Sequence, residues 1–258
     1  LHPRVRRQRQ MCIRDRIMSL LMITSLAACG SDETNTPASS EPESSQTESA
    51  PTSEPESTPS SEPESETAQV SDSNTLVVYF SMPETTNPDE SSMTEEERNS
   101  TVIIDGEVLG NTQYVAYVIQ ENTGADLFRI EPEVPYPTDH DTLVDQAAEE
   151  QDNGARPAIK DTIENFDQYD TIFVGYPNWW GDMPMILYTF FDTYDFSGKT
   201  IIPFNTHGGS GFSNTINTIA ELELDASIYE DGFTVSRNNV QEAEPDILAW
   251  LNELGYSN

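Results

Sequence analysis

Thr171-Ile172-Phe173-Val174-Gly175-Tyr176-Pro177-Asn178-Trp179-Trp180-Gly181 is the stretch on which the fold turns. Its first five residues carry no polar alternation, the pattern of a strand buried on both faces. Pro177 and Gly181 then bracket a loop that holds two adjacent indoles. Tryptophan is usually a core residue. Two consecutive tryptophans in a loop cannot both face one core, so at least one is expected to stack on a ligand ring.

On either side of this run, strands and helices alternate. Leu76-Val77-Val78-Tyr79-Phe80 is a second continuous β-rich run, and residues 111–121 have helical spacing with Val115, Val118 and Ile119 on one face and Gly124 as a cap. Leu127-Phe128-Arg129-Ile130 reads as a strand stopped by Pro132, Pro135 and Pro137, followed by a polar helix over residues 141–150. A further helix takes in residues 186–191, and Thr200-Ile201-Ile202-Pro203-Phe204 is another strand. Ser213 or Asn214 caps a helix running through Ala220, and residues 245–254 close the chain as an amphipathic helix carrying Ile247, Leu248, Trp250 and Leu251. The last strand falls within residues 226–235. This alternation predicts an α/β domain over residues 75–258: a three-layer, doubly wound, five-stranded parallel sheet with helices on both faces. Such sheets bind ligands beyond the carboxyl ends of their strands, where the winding direction switches. The loops that matter therefore follow Phe80, Gly175 and Phe204.

The first of these loops leaves at Ser81 and Met82 and reaches Gly110-Asn111-Thr112 only after a long excursion rich in Glu and Ser. Gly110 can approach an anion closely, and the amides of Asn111 and Thr112 open a helix whose positive end favours phosphate. Such a cradle of neutral hydroxyls and amides needs no lysine or arginine. Taken alone, Gly-Asn-Thr before a helix is a plain turn and cap; its place after the first strand gives it meaning. The third loop, Asn205-Thr206-His207-Gly208-Gly209-Ser210-Gly211, lets backbone amides come close to a planar heterocycle.

Together with Tyr136-Pro137 and Tyr194-Asp195-Phe196-Ser197-Gly198-Lys199, these loops resemble the flavodoxin family, most closely its bacterial flavodoxin-like FMN lipoproteins. The resemblance covers essentially all of residues 76–254. It implies strand order 2-1-3-4-5 and noncovalent FMN. The ribityl phosphate would lie at Ser81, Gly110, Asn111 and Thr112, with Met82 beside it. The isoalloxazine would lie between Pro177, Asn178, Trp179, Trp180 and Gly181 on one side and Asn205, Thr206, His207, Gly208 and Gly209 on the other. One departure stands out: the family runs from serine to Gly-Asn-Thr within a few residues, whereas here residues 82–109 intervene.

The N-terminal region reads as an address. Met18 opens a short apolar core ending in Leu26-Ala27-Ala28-Cys29, a signal peptide over residues 18–28 that resembles the bacterial lipobox and would leave Cys29 lipidated. Residues 1–17, with Met11-Cys12-Ile13-Arg14-Asp15-Arg16, read as translated adapter sequence and are assigned no function. From Cys29 to residue 74 the chain is dominated by Ser, Glu, Pro and Thr, with near-repeats of Ser-Glu-Pro-Glu-Ser at Ser40, Ser53 and Ser61. Such a composition cannot repay the cost of ordering and should form an extended linker. The expected location is outside the cytoplasm, with the membrane touched through the lipid alone.

Charge narrows the partners. The chain carries a formal charge of -34, and residues 75–258 keep 6 basic against 34 acidic side chains, a balance of -28. A surface of that sign repels nucleic acid and favours partners with a basic docking surface. Cys12 and Cys29 both precede the domain, and His2, His140 and His207 are too scattered for a metal cluster. No Gly-x-Gly-x-x-Gly follows the first strand, and no aspartate ends the run at Val174-Gly175, so a Rossmann dehydrogenase and a receiver domain fit poorly. Two function classes remain: a redox protein, either an electron carrier or an FMN-dependent reductase of small acceptors such as quinones, and a non-redox lipoprotein using the same fold to bind a ligand or partner. His207 is assigned to binding rather than catalysis, and Asp182 and Asp195 to helix starts or surface. The abundance of carboxylates predicts a low potential for the second reduction of the flavin.

Overall fold

The computed structural model describes residues 74–256. The expected signal peptide, Cys29 and all but the last residue of the expected linker lie outside these residues. Within them, strand β1 (Thr75–Tyr79) leads through the excursion to helix α1 (Glu95–Ser100), strands β2 (Thr101–Ile104) and β3 (Glu107–Gly110), helix α2 (Asn111–Thr123) and strand β4 (Asp126–Arg129). Helix α3 (His140–Asn153), strand β5 (Thr171–Pro177), helix α4 (Met185–Thr193), strand β6 (Thr200–His207) and helix α5 (Thr215–Leu222) follow. Strands β7 (Ser227–Ile228) and β8 (Phe233–Ser236) and helix α6 (Glu244–Glu253) complete the described chain.

The main sheet runs β4-β1-β5-β6, with β7 and β8 both on the outer side of β6, and every pairing in it is parallel. This is the expected 2-1-3-4-5 order, with the fifth strand delivered in two pieces. Side chains alternate cleanly between the two faces. Leu76, Val78, Phe80, Ile172, Val174 and Tyr176 enter one core with Ile186, Leu187 and Phe190 of α4. Val77, Tyr79, Phe173, Ile202 and Phe204 enter the other with residues of α2 and α6. Two buried faces explain why the strand sequences read as unbroken apolar runs.

Pro203 explains the split fifth strand. The carbonyls of Lys199 and Ile201 accept from Ser227 and Tyr229 on the outer side of β6. By the period of two, the missing N–H of Pro203 falls on that same side. The ladder breaks there and resumes only at Phe204↔Phe233. Gly232 passes at the gap, where a methyl group would stand 2.3 Å from the Pro203 carbonyl oxygen.

The excursion between β1 and α2 is itself folded. Thr94 and Glu97 form a reciprocal cap at the start of α1, and β2 and β3 pair as an antiparallel hairpin. Asp105 and Gly106, both with positive φ, turn that hairpin. Met93 and Val102 are buried, and Gln241 donates to the Ile103 carbonyl at 3.0 Å, so the unit is fastened to the domain.

Gly175 of β5 has no space for a side chain, because a methyl group there would lie 2.1 Å from the Phe204 ring. Gly175→Ala should therefore lower stability by about 3 kcal/mol through overpacking, read as a lower denaturant midpoint with an unchanged slope. A midpoint equal to the parent's would show that Phe204 yields without strain.

Candidate functional site

A cleft of about 430 Å³ opens where β1, β5 and β6 end. Its floor is set by contact between the first and second cradle segments. Ser81 is buried beyond β1, and a methyl group on Gly110 would come within 2.2 Å of its hydroxyl oxygen, so any side chain there would displace that hydroxyl. The Gly110 amide donates to Gln113 Oε1, and the Thr112 and Thr206 hydroxyls share a buried hydrogen bond of 2.8 Å that ties α2 to β6. The amides of Asn111 and Thr112 lie at the positive end of α2, where helix geometry leaves them no intrahelical acceptor. Asn111 Nδ2 donates to the Asn99 carbonyl, which fixes the side chain and leaves its buried Oδ1 without a partner.

The two indoles divide as a single core requires. Trp179 packs edge-on against Phe80 and Tyr136, with ring centroids at 5.5 and 5.7 Å. Trp180 is 60% exposed on the rim and donates from Nε1 to the Val144 carbonyl of α3 at 3.2 Å. Trp180 and Gly181 both have positive φ, at 53 and 78°, and Trp179 and Asp182 exchange backbone hydrogen bonds across them. This is the geometry of a tight primed turn, which favours glycine or asparagine. A bulky residue held there is strained, and such strain marks a functional position.

Asn178 and Asn205 brace the neighbouring loop. Both donate to the Gly211 carbonyl, at 3.0 and 2.8 Å, and Asn178 Oδ1 accepts from the Gly181 amide. Of the residues predicted from sequence, Ser81, Met82, Asn111, Thr112, Pro177, Asn178, Trp179, Trp180, Thr206, His207 and Gly208 line the cleft. Gly110, Gly181, Asn205 and Gly209 do not line it; Gly110 and Asn205 are buried and Gly181 and Gly209 exposed. Asp182 accepts from the Met183 amide and the Tyr188 hydroxyl next to the start of α4, and Asp195 accepts from Ser197.

Sequence reasoning missed one wall altogether. Glu84, Glu95, Glu96, Asn99 and Ser100 of the excursion line the cleft, joined by His140 at the start of α3. His140 Nδ1 lies 3.1 Å from each carboxylate oxygen of Glu84, whose side chain is only 9% exposed. Arg237, just past β8, also lines it, beside His207 and Gly208. The Thr94-x-x-Glu97 cap was a readable sign of α1, but nothing local tells that the helix returns to the site.

A family model described as flavodoxin matches residues 103–254. Among solved structures, a Bacteroides eggerthii protein provisionally assigned as a flavoprotein is 29% identical, with a TM-score of 0.54 over 71% of this chain and 98% of its own. A similarly assigned protein of Bacteroides uniformis is 25% identical, with a TM-score of 0.48 over 66% and 96% of the two chains. A Lactobacillus acidophilus flavoprotein solved in complex with FMN is 19% identical, with a TM-score of 0.45 over 65% and 96%. No curated protein sequence matches the chain.

His207 Nδ1 accepts from the Gly209 amide at 2.8 Å, which leaves the proton of the neutral ring on Nε2. Burial holds this imidazole below its ordinary 6.5. Because the folded value is depressed, the unfolded chain takes up the proton first as pH falls. The stability from neutral His207 is thus present above about 6.5 and lost as pH drops through the folded value. An NMR titration should place His207 below the unfolded reference, with the Nε2-protonated tautomer at neutral pH. A midpoint at or above the reference would contradict the assignment.

Proposed function

The chain belongs to the flavodoxin family, and we propose that it is a redox flavoprotein that binds FMN noncovalently in this cleft and works outside the cytoplasm on a lipid anchor at Cys29. The observation that carries the reading is convergence. Three loops far apart in sequence build one cavity with a neutral anion cradle at one end and an indole with a glycine loop at the other. The residues suit FMN in each part. The hydroxyls of Ser81 and Thr112 and the amides of Asn111 and Thr112 would hold the phosphate. The unpartnered Oδ1 of Asn111 would accept from a ribityl hydroxyl. Trp180 and the segment His207-Gly208 would flank the ring.

When bound, FMN supplies one- and two-electron transfer at its isoalloxazine. The chain's own part is to seat and tune that ring. Trp180 is pinned to α3 through its indole N–H and so presents a fixed aromatic surface rather than a swinging one. Neutral His207, which lines the cleft, keeps a donor at Nε2 while its Nδ1 stays engaged. The strongly acidic surface supports electron exchange with a partner bearing a basic docking face, or with a small acceptor such as a quinone. Steady turnover of quinone by the purified protein would select the reductase form; its absence with fast single-electron exchange would select the carrier.

The purified full chain, incubated with FMN and desalted, should retain close to one flavin per chain with quenched fluorescence. Trp180→Ala should weaken FMN binding roughly tenfold, the worth of one ring contact, with little change in unfolding midpoint. Trp179→Ala should instead destabilise the fold by about 3 kcal/mol. A folded chain that retains no flavin would end the redox reading.

The anchor is tested separately in cells. Labelled palmitate should enter the parent protein and not Cys29→Ser, which should leave the membrane fraction. Equal labelling of both would remove the lipid anchor from the proposal.

A further inference from the structure

The six cations of residues 75–258 are not equally employed. Arg98 and Lys199 are satisfied by backbone carbonyls, the latter at 2.5 Å from Tyr169 O. Arg129, Arg156 and Lys160 reach carboxylates, at 3.9, 2.6 and 3.1 Å. Among the described residues, Arg237 alone makes no side-chain hydrogen bond or ion pair, in a domain where acids outnumber bases by 34 to 6. Its side chain is exposed, and its place is set by its backbone.

That backbone points it at the site. The Arg237 amide donates to the His207 carbonyl at 2.8 Å, extending the β6–β8 ladder by one rung. The guanidinium then lies over Gly208, where a methyl group would stand 3.5 Å from Cζ. It lines the cleft on the β8 side, whereas Glu84 and Glu96 gather around His140 at the start of α3, which follows β4 on the other margin of the sheet. The cavity is therefore polarised, with carboxylates toward one margin and a free cation toward the other.

We propose that Arg237 is a positioning residue that stabilises the negative charge acquired by FMN on reduction. The inference rests on the FMN reading above. Uptake of two electrons and one proton leaves the oxidised ring system with one added negative charge. A cation beside the loop that flanks the ring interacts with that charge and only weakly with the neutral oxidised ring. Arg237 thus opposes, at close range, the lowering of potential that the distant carboxylates impose, whose influence salt screens.

The test compares the FMN-loaded full chain with Arg237→Gln and Arg237→Lys at pH 7. The readouts are dissociation constants for oxidised and dithionite-reduced FMN, and two-electron midpoints against a reference dye. Arg237→Gln should weaken binding of reduced FMN roughly tenfold while changing oxidised FMN less than threefold. A tenfold difference corresponds to a midpoint lower by about 30 mV for two electrons. Arg237→Lys should keep most of the parent's midpoint. Because the side chain is exposed, all three proteins should unfold alike. If Arg237→Gln holds flavin with an unchanged midpoint, or weakens both states equally, the proposal is overturned while the FMN reading stands. If the parent holds no flavin, both fall together.

Discussion

Phe204 packs against the bare backbone of Gly175, and the site depends on that contact. It brings β5 and β6 together at the register Gly175↔Phe204, and the ladder then runs only two residues further, to Pro177↔Thr206. Both strands therefore leave the sheet at the same height. The loop with Trp180 and the loop with His207 and Gly208 emerge as opposed lips rather than at staggered levels. The buried Thr112–Thr206 hydrogen bond carries the same alignment across to α2 and the floor of the cleft.

The long excursion adds a wall to this frame without dismantling it. Its buried anchors, Met93 and Val102, hold α1 so that Glu95 and Glu96 face the cavity, while Gly110 still meets Ser81 as closely as a short loop would allow. Acidic groups lining the same cleft as an anion cradle weaken it electrostatically, so the hydroxyls and helix amides must carry recognition there. The cation on the β8 side makes the field across the cleft directional. A net charge of -28 for residues 75–258 is thus a poor guide to the potential felt by a bound ring.

Much of this was legible in sequence because burial writes long signals. The runs at Leu76, Thr171 and Thr200 are apolar on both faces, and the helix from Asn111 repeats its apolar positions and ends on Gly124, so these elements and their order could be read directly. The fifth strand could not, since Pro203 divides its partner edge into pieces of two and four residues. The hairpin of β2 and β3 carried a usable sign in Asp105-Gly106 between apolar runs, but the surrounding Glu and Ser masked it. The three loops were recognisable as a set. Which members face the cavity was not, because Asn205 and Gly110 differ from Thr206 and Asn111 only in where tertiary packing turns them. His140 and Arg237 come from elements whose local sequences say nothing of the cleft.

The broken outer edge of the sheet has a consequence for life in company. An uninterrupted edge strand offers a row of unpaired amides and carbonyls on which another copy can add itself. Here that margin is cut by Pro203 and Gly232 into two short, offset pieces, too brief to template a neighbour. If many copies are held by their tails on one crowded surface, as proposed, each meets the others constantly and at high local density. The interruption then works as a safeguard of colloidal behaviour, keeping neighbouring domains from knitting into a continuous ribbon.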